Sequence, residues 1–137
     1  MPPITESSGH GHPKASAVRS VLRTMMGSTD AGIRAAAAIS SDGLVIAAVL
    51  QPGVDADRFA AMSASLLALA EREIVETQRG SLKQLLIEGT EGAVLLVQAG
   101  EDAVLAVSTD PGALIGKIFL EARAAAGRLR ACLDSPA

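Results

Sequence analysis

At 137 residues the chain is long enough for one domain with a substantial core, and short for two. Apolar residues make up 49%, yet there are two Phe and neither Tyr nor Trp, so the core is built from Ala, Val, Leu and Ile and the aromatic platforms that stack single-stranded nucleic acid are missing. A net charge of −3 with no run of Lys and Arg argues against binding a phosphate backbone, and no stretch approaches 18 uninterrupted apolar residues, so no membrane-spanning helix is expected.

Residues 1–13 (MPPITESSGHGHP) lack periodicity and core-forming side chains, and read as a disordered N-terminal tail. His10 and His12 flank one Gly there, but two ligands on a tail fall short of the three or four that an ordered metal site takes. Ala15, Val18, Val21, Leu22, Met25 and Met26 recur at helical spacing, predicting a helix over residues 14–26 that Gly27 ends. Two apolar runs, 33–40 and 44–50, flank Ser41-Asp42-Gly43. Asp-Gly between such runs predicts a hairpin, because both residues tolerate the positive φ of a tight turn. The alanines 35–38 favour helix, but the run is short, feeds directly into the turn and would suit a sheet lying close under a helix.

Residues 55–78 form the longest predicted helix, with Asp55 as N-cap and Gly80 just past its end. Phe59, Met62, Leu66, Leu69 and Ile74 make one face, suited to packing on a sheet. A second stripe is small: Ala60, Ala61, Ala64, Ser65 and Ala68. It fits either a close helix–helix contact or plain helix propensity. Three further strands are expected at 82–88, 93–99 and 103–108, joined by connections short enough to force antiparallel neighbours. Residues 94–97 are continuously apolar and read as interior, whereas the polar 82–88 reads as an edge strand. Asp110 as N-cap and Pro111 at the first helical position open a last helix that runs to Leu133, followed by a short C-terminal tail, 134–137. Arg123, Arg128 and Arg130 sit late in it, where cations suit the helix dipole.

No catalytic, cofactor-binding or metal-binding constellation accompanies this order. Gly112-Ala113-Leu114-Ile115-Gly116-Lys117-Ile118 fails as a phosphate-binding loop: three residues separate the glycines instead of four, and Ile118 stands where Ser or Thr would hold Mg²⁺. Cys132 is the sole cysteine, which rules out an intramolecular disulfide, and has no histidine near it in sequence. Glu71, Glu73 and Glu76 share their helix with Arg72, a mixture typical of a solvated face. With no signal-like N-terminal segment, a cytoplasmic protein without enzyme activity, working by being bound, is the expectation.

The run Gly32-Ile33-Arg34-Ala35-Ala36-Ala37-Ala38-Ile39-Ser40-Ser41-Asp42-Gly43-Leu44-Val45-Ile46-Ala47 resembles the opening hairpin of the roadblock/LC7 family. Phe59-Ala60-Ala61-Met62 with Leu66-Leu67-Ala68-Leu69-Ala70 is similar to that family's central helix, and Gly80-Ser81-Leu82-Lys83-Gln84-Leu85-Leu86-Ile87-Glu88-Gly89 to its third strand. Leu114-Ile115-Gly116-Lys117 resembles the start of its last helix, so the likeness covers roughly residues 16–133 in the family's element order.

The resemblance implies an α+β fold of order helix-strand-strand-helix-strand-strand-strand-helix, a profilin-like sandwich of helices on a five-stranded antiparallel sheet. It implies a homodimer whose central helices pack together and whose third strands pair across a two-fold axis. On that reading Ala60, Ala61, Ala64, Ser65 and Ala68, with Leu82, Gln84 and Leu86, form the dimer interface. It further implies a regulator or docking platform for a Ras-like small GTPase, of the prokaryotic polarity-control kind, with GTPase activation as one form. The alanine-rich composition has a bacterial look. A scaffold of dynein-light-chain type that leaves nucleotide turnover alone is the alternative, and a small-molecule sensor a more distant one.

Overall fold

The computed structural model describes residues 5–8 by their backbone, and residues 11–27 and 30–136 in full. Its strands are β1 (Thr5–Ser8), β2 (Ile33–Ser40), β3 (Val45–Leu50), β4 (Gln84–Gly89), β5 (Gly92–Gln98) and β6 (Ala103–Thr109). All pairings are antiparallel, and the order across the sheet is β1-β3-β2-β6-β5-β4. The hairpin β2–β3 and the meander β4–β5–β6 are thus joined side by side by the β2–β6 ladder. Three helices cover the sheet: α1 (Ala15–Gly27) and α3 (Ile115–Asp134) on one face, α2 (Ala56–Glu76) on the other. This is the α+β sandwich expected from the sequence.

Strand alternation divides the core into two layers. Ala36 and Ala38 of β2 face Val18, Leu22, Ile118 and Leu129 of α1 and α3, while Ala35, Ala37 and Ile39 face the α2 side with Leu67. All four alanines 35–38 are buried, which is what a strand covered on both faces requires. Opposite them β3 carries a bulge: Ala38 pairs with Ala47 and Ile39 with Val45, leaving Ile46 extra, so that Ile46 and Ala47 both turn toward α1 and α3.

Four local readings are corrected. First, the segment expected to be a disordered tail contains β1, whose Thr5–Ser8 pair with Leu50–Ala47 of β3. A ladder uses main-chain N–H and C=O groups, which every residue except proline supplies in full, so apolar periodicity is no precondition. His10 lies outside the described residues. His12 closes the turn entering α1: its Nδ1 accepts the Lys14 N–H at 3.0 Å and its carbonyl accepts the Ala15 N–H at 3.0 Å. Lys14 then reaches across to the far end of α3, its ammonium donating to the Cys132 carbonyl at 2.9 Å, to Ser135 Oγ at 3.0 Å and to the Ser135 carbonyl. Those are carbonyls the helix leaves open, at the end of the dipole that favours a cation.

Second, Asp110 and Pro111 do not start α3. Asp110 to Ala113 form a turn, closed by the Ala113 N–H on the Asp110 carbonyl at 3.3 Å, with Pro111 second and Gly112 third at φ +75°, the arrangement of a type II turn. That φ is not helical, so α3 waits until Ile115. Asp110 instead accepts from Nε of Arg34 on β2. Third, α2 ends at Glu76 and not at Gln78. Gln78, at φ +60°, takes the left-handed position, with its N–H on the Val75 carbonyl and the Arg79 N–H on Ile74, a Schellman closure made without glycine. Fourth, of the two residues expected to suit a positive φ in the β2–β3 turn only Gly43 adopts one, and Ser41-Asp42-Gly43 form a three-residue loop. Asp55 caps α2 as expected, its Oδ1 accepting the Arg58 N–H at 3.1 Å.

Candidate functional site

The side of the molecule carrying α2 is the less finished one. Only Ala60, Ser63 and Leu67 of its 21 residues are buried, with Phe59, Ala64 and Ile74 half-buried beside them. These positions fall on one helical face and rest on Ala35, Ala37, Leu96 and Ala106 of the sheet. Met62, Leu66 and Leu69, at i, i+4 and i+7, point the other way and are 55%, 40% and 62% exposed. The large-residue stripe expected against the sheet is therefore turned outward, save for Phe59 and Ile74 at its margins. Single exposed leucines are ordinary, but three large apolar side chains in one helical stripe make an unpaired seam.

The small residues expected at a helix–helix contact take different places on the protomer. Ala60 is wholly buried against the sheet, so it has no surface to offer another chain. Ala61 and Ala64 lie under the β2–β3 turn: a Cβ at Gly43 would sit 3.3 Å from Ala61 Cα and 3.6 Å from Ala64 Cβ. A side chain at Gly43 would crowd the helix there. Ala64 and Ala68 also line a cleft of about 250 Å³ that reaches Ser41 and Val104. Ser65 and Ala68 are exposed, next to the outward seam.

Beside α2 runs the free edge of β4, which among the described residues pairs with β5 alone. Leu82, Gln84 and Leu86 are half-buried. The Leu82 N–H donates to Glu71 Oε2 at 2.9 Å, which fixes the entry of the edge strand against α2. Register places Gln84 and Leu86 on the α3 side, where Gln84 Oε1 accepts from Arg123 Nε at 3.1 Å, and Leu85 and Ile87 on the α2 side. Ile87, 38% exposed, extends the apolar surface of the seam onto the sheet. The sequence reading missed Met62, Leu66, Leu69 and Ile87 as surface; their spacing was visible, their direction was not.

Among the described residues no group of three or more His, Cys, Asp or Glu is placed to hold a metal ion, and no helix is long and apolar enough to cross a membrane. Arg72 is paired with Glu76 along α2. Asp30, before β2, is held below the usual carboxylate range by the hydrogen bond and charge of Lys117, which ties the start of α3 to that loop.

A family model described as Roadblock/LC7 domain matches residues 28–109. An uncharacterised protein of Methanocaldococcus jannaschii is 39% identical over 100 residues, which is 73% of this chain and 87% of that one. Among solved structures, MglB of Myxococcus xanthus superposes with a TM-score of 0.81 at 18% identity, over 88% of this chain and 98% of its own. A Roadblock/LC7 domain from Streptomyces avermitilis does so with a TM-score of 0.76 at 22% identity, over 85% and 97%. At those identities the two structures establish a shared fold.

Proposed function

Because this chain belongs to the Roadblock/LC7 domain family, we propose that it is a non-enzymatic regulatory adaptor that dimerises through α2 and the free edge of β4 and docks a Ras-like small GTPase. The observation that supports this most is the outward seam of Met62, Leu66 and Leu69 beside an unpaired strand edge. A helix face and a strand edge side by side match an isologous contact, in which each chain offers the same surface to its twin. The interface then consists of Met62, Ser65, Leu66, Leu69 and the main chain of β4, with Ala61 and Ala68 at the rim. Ala60 and Ala64 drop out, being spent inside the protomer.

The GTPase partner follows from what the family resemblance implies, and the cytoplasm is where such a partner would be met. A docked dimer shifts a GTPase between states only by the difference in its affinity for them. Stimulation, where it occurs, works on this reading by positioning the GTPase's own residues, because nothing singles out one of Arg34, Arg58, Arg72 and Arg79 as a finger. The decisive experiment is single-turnover GTP hydrolysis by the Ras-like GTPase encoded nearest this gene, with and without excess purified protein, beside binding titrations in each nucleotide state. Faster hydrolysis with GTP-selective binding supports a GTPase-activating partner; binding at an unchanged rate makes it a scaffold. Absence of binding in both states overturns the GTPase reading.

A further inference from the structure

Folding gathers cations that the sequence scatters. Helices α1 and α3, which pack side by side on one face of the sheet, carry Arg19, Arg23, Lys117, Arg123, Arg128 and Arg130 against Glu121 and Asp134. That is a net +4 in a chain whose total is −3. Residues 51–81, which hold α2 on the other face, carry three arginines against five carboxylates, a net −2. The two faces of the sheet are therefore opposite in sign.

The outer surface of α3 is ordered as well as basic. Leu120, Ala124, Gly127 and Ala131, at i, i+4, i+7 and i+11, are all exposed and make an uncharged crest about 16 Å long. Cations stand on both shoulders of it. Arg123 leans toward the sheet edge, where its Nε donates to Gln84 Oε1, and Lys117 leans the other way to Asp30 at 3.1 Å. Arg130 follows Arg123 at i+7 and Arg128 follows Lys117 at i+11, each on the same shoulder. Alongside, α1 contains no carboxylate and presents exposed Ala17, Ser20, Arg23 and Thr24. Counting Asp30 against the layer, beside Glu121 and Asp134, still leaves a surplus of three cations among the described residues. Two large apolar side chains complete the face: Leu120 is 66% exposed and Leu114, just before the helix, 59%.

We propose that the α1–α3 face docks the protein on an anionic lipid bilayer, with α3 lying along the surface. Leu114 and Leu120 enter the headgroup region, and Lys117, Arg123, Arg128 and Arg130 hold the lipid phosphates and carboxylates. Cations flanking an uncharged strip suit such a surface, because their stems lie on apolar material while their heads stay at the charged layer. A second copy of this face is a poor occupant, since crest against crest sets arginines against arginines. A nucleic-acid backbone would satisfy the cations and leave both leucines in water. With α2 and β4 paired as proposed above, the two-fold axis stands perpendicular to the sheet and the two basic layers share one side. A lone protomer still presents one layer, so the proposal stands or falls apart from the dimer and GTPase reading.

Its test is co-sedimentation of the full chain with vesicles of phosphatidylcholine alone and of phosphatidylcholine with roughly one-third phosphatidylserine. Binding to the anionic vesicles only, and its loss at high salt, is expected. A basic side chain near such a surface gives roughly a fivefold gain in affinity, so Arg128→Gln with Arg130→Gln should weaken binding at least about tenfold. Arg58→Gln with Arg79→Gln on the α2 side changes the net charge equally and should leave binding within about twofold. The chain has no tryptophan, so Leu120→Trp supplies an emission signal of its own, which should shift to the blue on anionic vesicles. Circular dichroism melts confirm that each variant is folded; all these side chains are exposed. No binding to the anionic vesicles, equal binding to the neutral ones, equal loss in the α2-side pair, an unshifted emission, or tighter binding to duplex DNA than to the anionic vesicles would each overturn the proposal.

Discussion

Replacing Leu69 with alanine separates an interface role from a structural one. In the protomer this side chain is 62% exposed, on the outward face of α2. Full burial of a leucine stabilises by about 1.5–3 kcal/mol, so covering the exposed portion in a dimer is worth about 1–2 kcal/mol. A two-fold contact counts that twice. After allowing for the methyl group alanine retains, the loss per dimer comes to about 2–3 kcal/mol, which is roughly a 30- to 150-fold rise in dissociation constant. Sedimentation equilibrium over a concentration series reads that shift directly. The same change removes almost nothing from the protomer core, so at concentrations where both proteins are monomeric their melting temperatures should coincide. An unchanged dissociation constant would place the interface elsewhere. A melting temperature lowered equally at every concentration would mean that Leu69 is packed within the protomer, and would refute the orientation of α2 described above.

Three other outcomes follow from local geometry. Gly92→Ala forces a Cβ to within 2.3 Å of the Thr109 carbonyl oxygen at φ +130°, where L-residues are strained; a loss of at least about 1–3 kcal/mol is expected in chemical denaturation, and a loss below 0.5 would contradict the closeness of β5 and β6 there. Lys14→Met leaves the last carbonyls of α3 without their cation. Stability should fall by about 1 kcal/mol, with faster amide exchange confined to the last turn of α3; uniform acceleration through the helix would argue against a capping role. Deleting residues 1–8 should keep the fold but speed exchange at the β3 amides that face β1, and unchanged exchange would dismiss that pairing.

How far the fold was legible depended on whether a signal was local. The β2–β3 turn announced itself through Asp42-Gly43, and the edge character of β4 through Lys83, Gln84 and Glu88, because turn chemistry and edge polarity are written in neighbouring residues. Asp110-Pro111 shows the limit. The same pair opens a helix or a type II turn, and the choice fell to Gly112, one residue on, and to an arginine 76 positions away. The orientation of α2 was beyond reach for a different reason. Its large and small stripes are both apolar, and periodicity reports that a helix has faces without saying which one the sheet takes. In the fold the β2–β3 turn lies close on Ala61 and Ala64 through Gly43, a contact between segments that periodicity does not report. β1 carried no side-chain signal at all.

The two margins of the sheet are unlike, and the difference sets a valency. One is β4, presented beside an apolar helix face; the other is β1, four residues with the sequence Thr-Glu-Ser-Ser, laid along β3. If each chain joins another through β4, the combined sheet ends on both sides, among the described residues, in a strand of four residues that offers an incoming chain few pairing sites. Growth then stops at two. A protein whose main-chain edges invite open-ended stacking would in this way be built to count, with the sticky margin spent on the first partner.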